Sequence, residues 1–134
     1  METLRGVGAL VGRVLLALIF IMSGSAKFTH PAMFAEMMGQ AGVSAGLVML
    51  LLYASAAIEL LGGVLLAVGY QGRWVAAVMV LWLIPVTIVM HAIPGGMLNQ
   101  VMVMKNLAIM GGLLMVAVQG SGGMSLDAIR ARGA

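Results

Sequence analysis

The stretch AIELLGGVLLAVG, residues 57–69, sets one glutamate, Glu59, in an apolar run with no other charge for more than ten residues on either side. What that carboxylate does depends on the solvent around the segment, and the composition of the chain identifies the solvent. Of 134 residues, 63% are hydrophobic and 8% charged, whereas a soluble domain is about a quarter charged. Mean hydropathy is +1.14. This is too little polar surface to cover a water-soluble globule. The chain reads as an all-α integral membrane protein whose first partner is the lipid bilayer, and at this length as one domain over residues 1–134. With no cysteine, disulfides, thiolate metal sites and cysteine nucleophiles are excluded. The net charge of +3 comes from basic residues scattered along the chain. They form no stripe for nucleic acid and are better read as topology signals and intramembrane partners.

Outward from Glu59, four apolar segments are long enough to span, at about residues 8–29, 45–68, 74–92 and 98–118, followed by a Gly-rich and then weakly helical tail, 119–134. The first is bracketed by Arg13 and Lys27, whose Cα atoms would lie ~21 Å apart along a helix, so both charges could snorkel outward. Its basic start and small residues also fit a secretory signal peptide. Three more apolar segments and no soluble domain follow, so the span is expected to be retained. Between the first two spans, Pro31 suits the first position of a short helix, and Met33, Phe34, Met37 and Met38 give that helix an apolar side. It is too short to span and is expected at the interface. Pro85 should kink the third span, and HAIPGGMLNQ, residues 91–100, is the next turn. The expected architecture is a four-transmembrane-helix bundle with a short interfacial helix after the first span.

Four spans put both termini on one side, with Arg5, Arg13, Arg73, Arg130 and Arg132, against Lys27 and Lys105 opposite. This bias predicts cytoplasmic termini in a multi-pass protein of the cytoplasmic (inner) membrane.

An unpaired carboxylate in the second span would cost on the order of several kcal/mol, so Glu59 is protonated or paired. Ser55, Ala56, Gly62 and Gly63 share its face, a small-residue surface that admits a close helix neighbour. Lys27 likewise sits over Ser23 and Gly24, His91 over Thr87, and Lys105 over Ala108, Ile109 and Gly112. All four faces are expected to converge. Depths counted from the terminal ends of the spans are roughly 15 Å for Glu59, 21 Å for Lys105 and 27 Å for Lys27 and His91. On that count Lys105 is the expected partner of Glu59, with Asn106 adding hydrogen bonds. The candidate polar pocket is therefore Lys27, Glu59, His91, Lys105 and Asn106, open to the outer leaflet and suited to a small polar or quinone-like head group. The rival reading is a buried pair that only holds helix register.

Other motifs carry less. His30 and His91, the only histidines, could be imagined as a bis-His haem site, but hydrogen bonding is the ordinary use. The 14 methionines, among them Met33, Met37, Met38, Met97, Met102 and Met104 towards the outer side, could bind Cu(I), but Met more commonly fills apolar gaps. No metal site is expected. The pairs Gly62–Gly63 and Gly111–Gly112 have no phosphate loop and read as helix-packing positions.

The ordered set GRVLLALIFIMSGSAKF (12–28), AIELLGGVLLAVGYQGRWVA (57–76), MKNLAIMGGLLMVAVQGSG (104–122) and SLD (125–127) resembles the DoxX family of membrane proteins. The resemblance marks Lys27, Glu59, Gly62, Gly63, His91, Lys105 and Asn106. It implies association with quinone-linked redox systems, as a subunit more than as an autonomous enzyme. Expected partners are a quinone and a membrane or redox protein, and the chain is compatible with a homo-oligomer. The alternatives are a structural accessory subunit with no site of its own, or a small transporter or proton path using Glu59.

Overall fold

The computed structural model describes residues 1–93 and 96–133. Pro94 and Gly95, within the turn expected at 91–100, lie outside the described residues, as does Ala134. The elements are α1 (Glu2–Thr29), α2 (Pro31–Gln40), α3 (Ala45–Val68), α4 (Gly72–Thr87) running into a π turn (Ile88–Ala92), α5 (Met97–Gln119) and α6 (Leu126–Gly133). Among the described residues there is no strand. Four stretches, Thr3–Thr29, Ala45–Val68, Gly72–Ala92 and Met97–Gln119, are long and apolar enough to cross a membrane. The expected all-α bundle of four spans with a short helix after the first is thus found. The first helix begins six residues before the expected boundary, because Thr3 and Arg5 can continue a helix into water once its apolar part has crossed the bilayer.

Glycines set the helix spacing. A Cβ on Gly24 of α1 would lie 2.8 Å from Leu60 N and 2.9 Å from Ala56 O, both backbone atoms of α3. Gly63 of α3 returns the contact, its Cβ position 3.1 Å from Ala17 O and Ile21 N of α1. These reciprocal approaches make α1 and α3 the tightest pair. Gly62 faces the other way, against the Met79 thioether of α4, and Gly112 of α5 faces Leu16, whose Cδ2 would be 2.9 Å from an added Cβ. Gly111, expected to pack with them, meets nothing within 4 Å. It lies about 100° round the helix from Gly112, turned away from Leu16.

Ala17, Phe20, Leu66, Ala76, Met79, Leu83 and Leu113 form one buried apolar cluster. Leu15, Leu61, Leu81 and Met104 point outward and are exposed, as side chains that meet lipid must be. Around Pro85 the α4 ladder does not simply bend. Three residues past Pro85 the helix widens into a π turn in which Ile93 N–H donates to Ile88 O at 2.9 Å.

At the end carrying both termini, the expectation that Arg13 snorkels outward is corrected. Arg13 is 2% exposed. Its Nε donates to Ala67 O at 3.3 Å, Nη2 to Met124 O at 2.9 Å, and Nη1 to Ser121 O. A planar fork of five donors can satisfy carbonyls left over at helix ends, which a lone ammonium could not span. Asp127 completes the clamp. It accepts from Gln71 N–H (2.7 Å), Gly72 N–H (2.9 Å) and the Ser121 hydroxyl (2.7 Å). The residue before α4, Gln71, makes no side-chain cap of its own, so α6 supplies it. Gly69 ends α3 at φ +68°, where a Cβ would lie 2.5 Å from Ser125 Cβ and 2.9 Å from Arg13 Cζ.

Candidate intramembrane polar site

Glu59 is 5% exposed and faces the bundle, as its small-residue neighbours predict. Its partner is not Lys105. Lys27 Nζ lies 2.5 Å from Glu59 Oε2 and also donates to Ser23 Oγ at 3.1 Å. The correction has two physical causes. Side chains on a helix lean towards its N-terminus. In the antiparallel pair α1–α3, Lys27 therefore leans back down its helix and Glu59 leans up to meet it. The axial register is set by Gly24 and Gly63, not by the helix ends, and it differs by about one turn, roughly 5 Å, from a register counted from the termini. Lys105 sits on α5, which packs chiefly on α4, and its lean runs the same way as that of Glu59.

The pair separates two lobes of one cavity. Lys27, Glu59, Phe34, Val86 and Met90 border both. The first lobe, about 230 Å³, is walled by Ser55, Trp82 and Pro85. The second, about 250 Å³, brings in Ser23, His91, Lys105 and Asn106. The predicted polar residues thus do border one cavity, although they do not form one bonded network. Asn106, buried on α5, donates to Thr87 Oγ1 at 3.0 Å, and Thr87 donates to Leu83 O at 2.6 Å, tying α5 to α4. His91 sits in the π turn with Nδ1 3.3 Å from Asn99 Oδ1. Lys105 is exposed and makes no hydrogen bond or ion pair among the described residues.

Two wall residues escape a reading of the sequence for polar groups. Phe34 of α2 lies with its ring centroid 5.4 Å from Lys27 Nζ, a cation–π distance. The short helix therefore covers the ion pair. The signal available was the apolar side formed by Phe34, Met37 and Met38. Trp82 borders the first lobe, and its indole N–H is buried with no acceptor among the described residues. Nothing in the sequence distinguishes it from a lipid-facing tryptophan such as Trp74. Of the methionines, Met38 borders the first lobe and Met37 and Met102 the second, while Met33, Met97 and Met104 are exposed on outer faces.

Chemically, the site offers a locally neutral ion pair, an indole donor, aromatic and thioether walls, and one ammonium with no counter-charge among the described residues. That can orient a flat, polar-edged ring. These features define a four-span integral membrane protein with an intramembrane polar cavity. The chain belongs to the DoxX family, whose model matches residues 8–92. It is similar to inner membrane protein YqjF of Escherichia coli (strain K12), at 34% identity over 130 residues, 95% of each chain. No solved structure matches. The family match stops before α5, so Lys105 and Asn106 lie outside it and within the longer likeness to the E. coli protein.

Proposed function

We propose that this protein is a quinone-linked, non-catalytic subunit of the cytoplasmic membrane that receives a quinone head group in the cavity around Lys27 and Glu59. The observation that supports this most is the ion pair standing between two lobes beside Trp82, whose indole N–H has no acceptor among the described residues. Buried N–H groups are normally satisfied, and a ring carbonyl is a suitable acceptor. Each lobe is smaller than the ~300–1,000 Å³ of a drug-sized ligand's pocket. That suits one head group whose isoprenoid tail stays in lipid. Phe34 and the methionines supply polarizable walls. In this reading both termini are cytoplasmic, and a membrane or redox protein partner supplies the electron chemistry.

The test uses the two tryptophans. In a Trp74→Phe variant, titration with a short-chain ubiquinone should quench Trp82 fluorescence saturably, and quinone should co-purify in mild detergent. Non-saturable quenching with no co-purifying quinone overturns the reading. A stoichiometric protein partner in the same preparation would then favour the structural accessory reading, which the Lys27–Glu59 tie between α1 and α3 supports. Flux that depends on pH, from a chain purified alone, would favour a proton path.

A further inference from the structure

The second lobe carries an unbalanced positive charge. Its titratable walls are Lys27, Glu59, His91 and Lys105. Lys27 and Glu59 cancel in their salt bridge. His91 is engaged with Asn99. Lys105 remains, with no ion pair or hydrogen bond among the described residues. It stands eight residues inside the outer end of α5, which begins at Met97, so about 12 Å of helix separates it from that end. Its aliphatic stem can shorten the distance by snorkelling, but an ammonium at this depth is costly without a counter-charge. The lobe beside it is bordered by a hydroxyl, Ser23, an amide, Asn106, and an imidazole, each able to donate or accept around a bound polar group.

We infer that the second lobe selects anionic over neutral ligands, with Lys105 as the charge-reading residue, so that the ligand class is an amphipathic organic anion built on a flat ring. For the quinone site proposed above, on which this rests, that means a ring bearing an ionised hydroxyl or carboxylate. The ring lies against Phe34, which borders both lobes, and its acidic substituent meets Lys105 in the second. The anion leaves water for a site where its charge is matched, and a neutral analogue of the same shape gains nothing from Lys105.

The experiment compares matched probes on protein in nanodiscs of zwitterionic lipid. 2-Hydroxy-1,4-naphthoquinone, ionised at neutral pH, is set against neutral 1,4-naphthoquinone. 1-Naphthoate is set against 1-naphthalenemethanol as a pair that is not a quinone. The expected result is tighter binding of both anions. Lys105→Gln should weaken anion binding about tenfold or more, the size of a lost charge-assisted hydrogen bond, and leave the neutral probes within about twofold. Lys105→Arg should keep the preference. Because Lys105 is exposed and has no partner among the described residues, its replacement leaves no buried orphan, and the melting temperature of each variant checks that the fold survives. Equal affinity for anion and neutral probe, or a preference that survives Lys105→Gln, overturns the inference and leaves the quinone reading standing. Binding of naphthoate through Lys105 with neither naphthoquinone bound keeps the charge selection and removes the quinone. Binding of no probe overturns both.

Discussion

Lys27 of α1 and Glu59 of α3 form an ion pair with Nζ 2.5 Å from Oε2, both side chains being largely shielded. Lys27 stands about one turn beyond Gly24, and Gly24 meets the α3 backbone at Leu60, the residue next to Glu59. Charge pairing and closest helix approach therefore occur at the same place. Removing one partner should cost ~3–5 kcal/mol, while replacing both with apolar residues of similar volume should be close to neutral. A double-mutant cycle of Lys27→Met and Glu59→Leu, read by thermal unfolding in detergent, should show strong coupling. The same cycle run with Lys105→Met and Glu59→Leu should be additive within about 0.5 kcal/mol. The reverse pattern would return Lys105 to the pair.

The glycines separate by the same geometry. Gly24→Ala places a Cβ against α3 backbone that cannot rotate away, and should lower stability by about 1–3 kcal/mol. Gly111→Ala meets open space and should be neutral, or stabilising by up to about 1 kcal/mol through helix propensity. Melting temperatures of the two single variants, measured side by side, check this. Equal effects would mean that α1 and α3 are not in contact at Gly24.

Asp127 predicts a dependence on pH. Partial burial raises its pKa, but the N–H groups of Gly72 and Gln71, the Ser121 hydroxyl and the Arg130 charge outweigh this, and the net shift is below the ordinary 3.8. A carboxylate with a depressed pKa in the folded state stabilises the fold fully above its unfolded pKa and loses that contribution as pH falls through the folded value. The stability gap between the wild type and Asp127→Asn should thus be constant from neutral pH down to about pH 5, then close below about pH 4. Losing the cap should cost about 0.5–2 kcal/mol at neutral pH. Hydrogen exchange over residues 121–133 should rise in the same variant. A gap that widened in acid would contradict the sign of the shift.

Topology can be read without background because the chain has no cysteine. With both termini cytoplasmic, Gln40→Cys at the end of α2 should react with a membrane-impermeant maleimide in intact cells. Gly133→Cys should react only after permeabilisation. The opposite labelling would invert the bundle and put the cavity nearer the cytoplasmic leaflet.

The solvent, the number of spans and the inward face of Glu59 could all be read from the sequence. Each depends on local quantities: mean hydropathy, segment length, and the 3.6-residue period that puts Ser55, Ala56, Gly62 and Gly63 beside Glu59. The membership of the polar cavity was legible for the same reason, since Lys27, His91, Lys105 and Asn106 lie in segments too apolar to hold them idly. Only the tertiary structure decided who pairs with whom. Face does not specify height, and the height of one helix against another is set by where its small residues meet the neighbour's backbone. That contact at Gly24 and Gly63, with antiparallel side chains leaning towards each other, gave Glu59 to Lys27 and left Lys105 without a partner among the described residues. The same holds at the other end. Arg13 looks like a flanking charge in the sequence, and it turns inward because the chain after α5 folds back and brings the Ser121 and Met124 carbonyls within reach of its guanidinium.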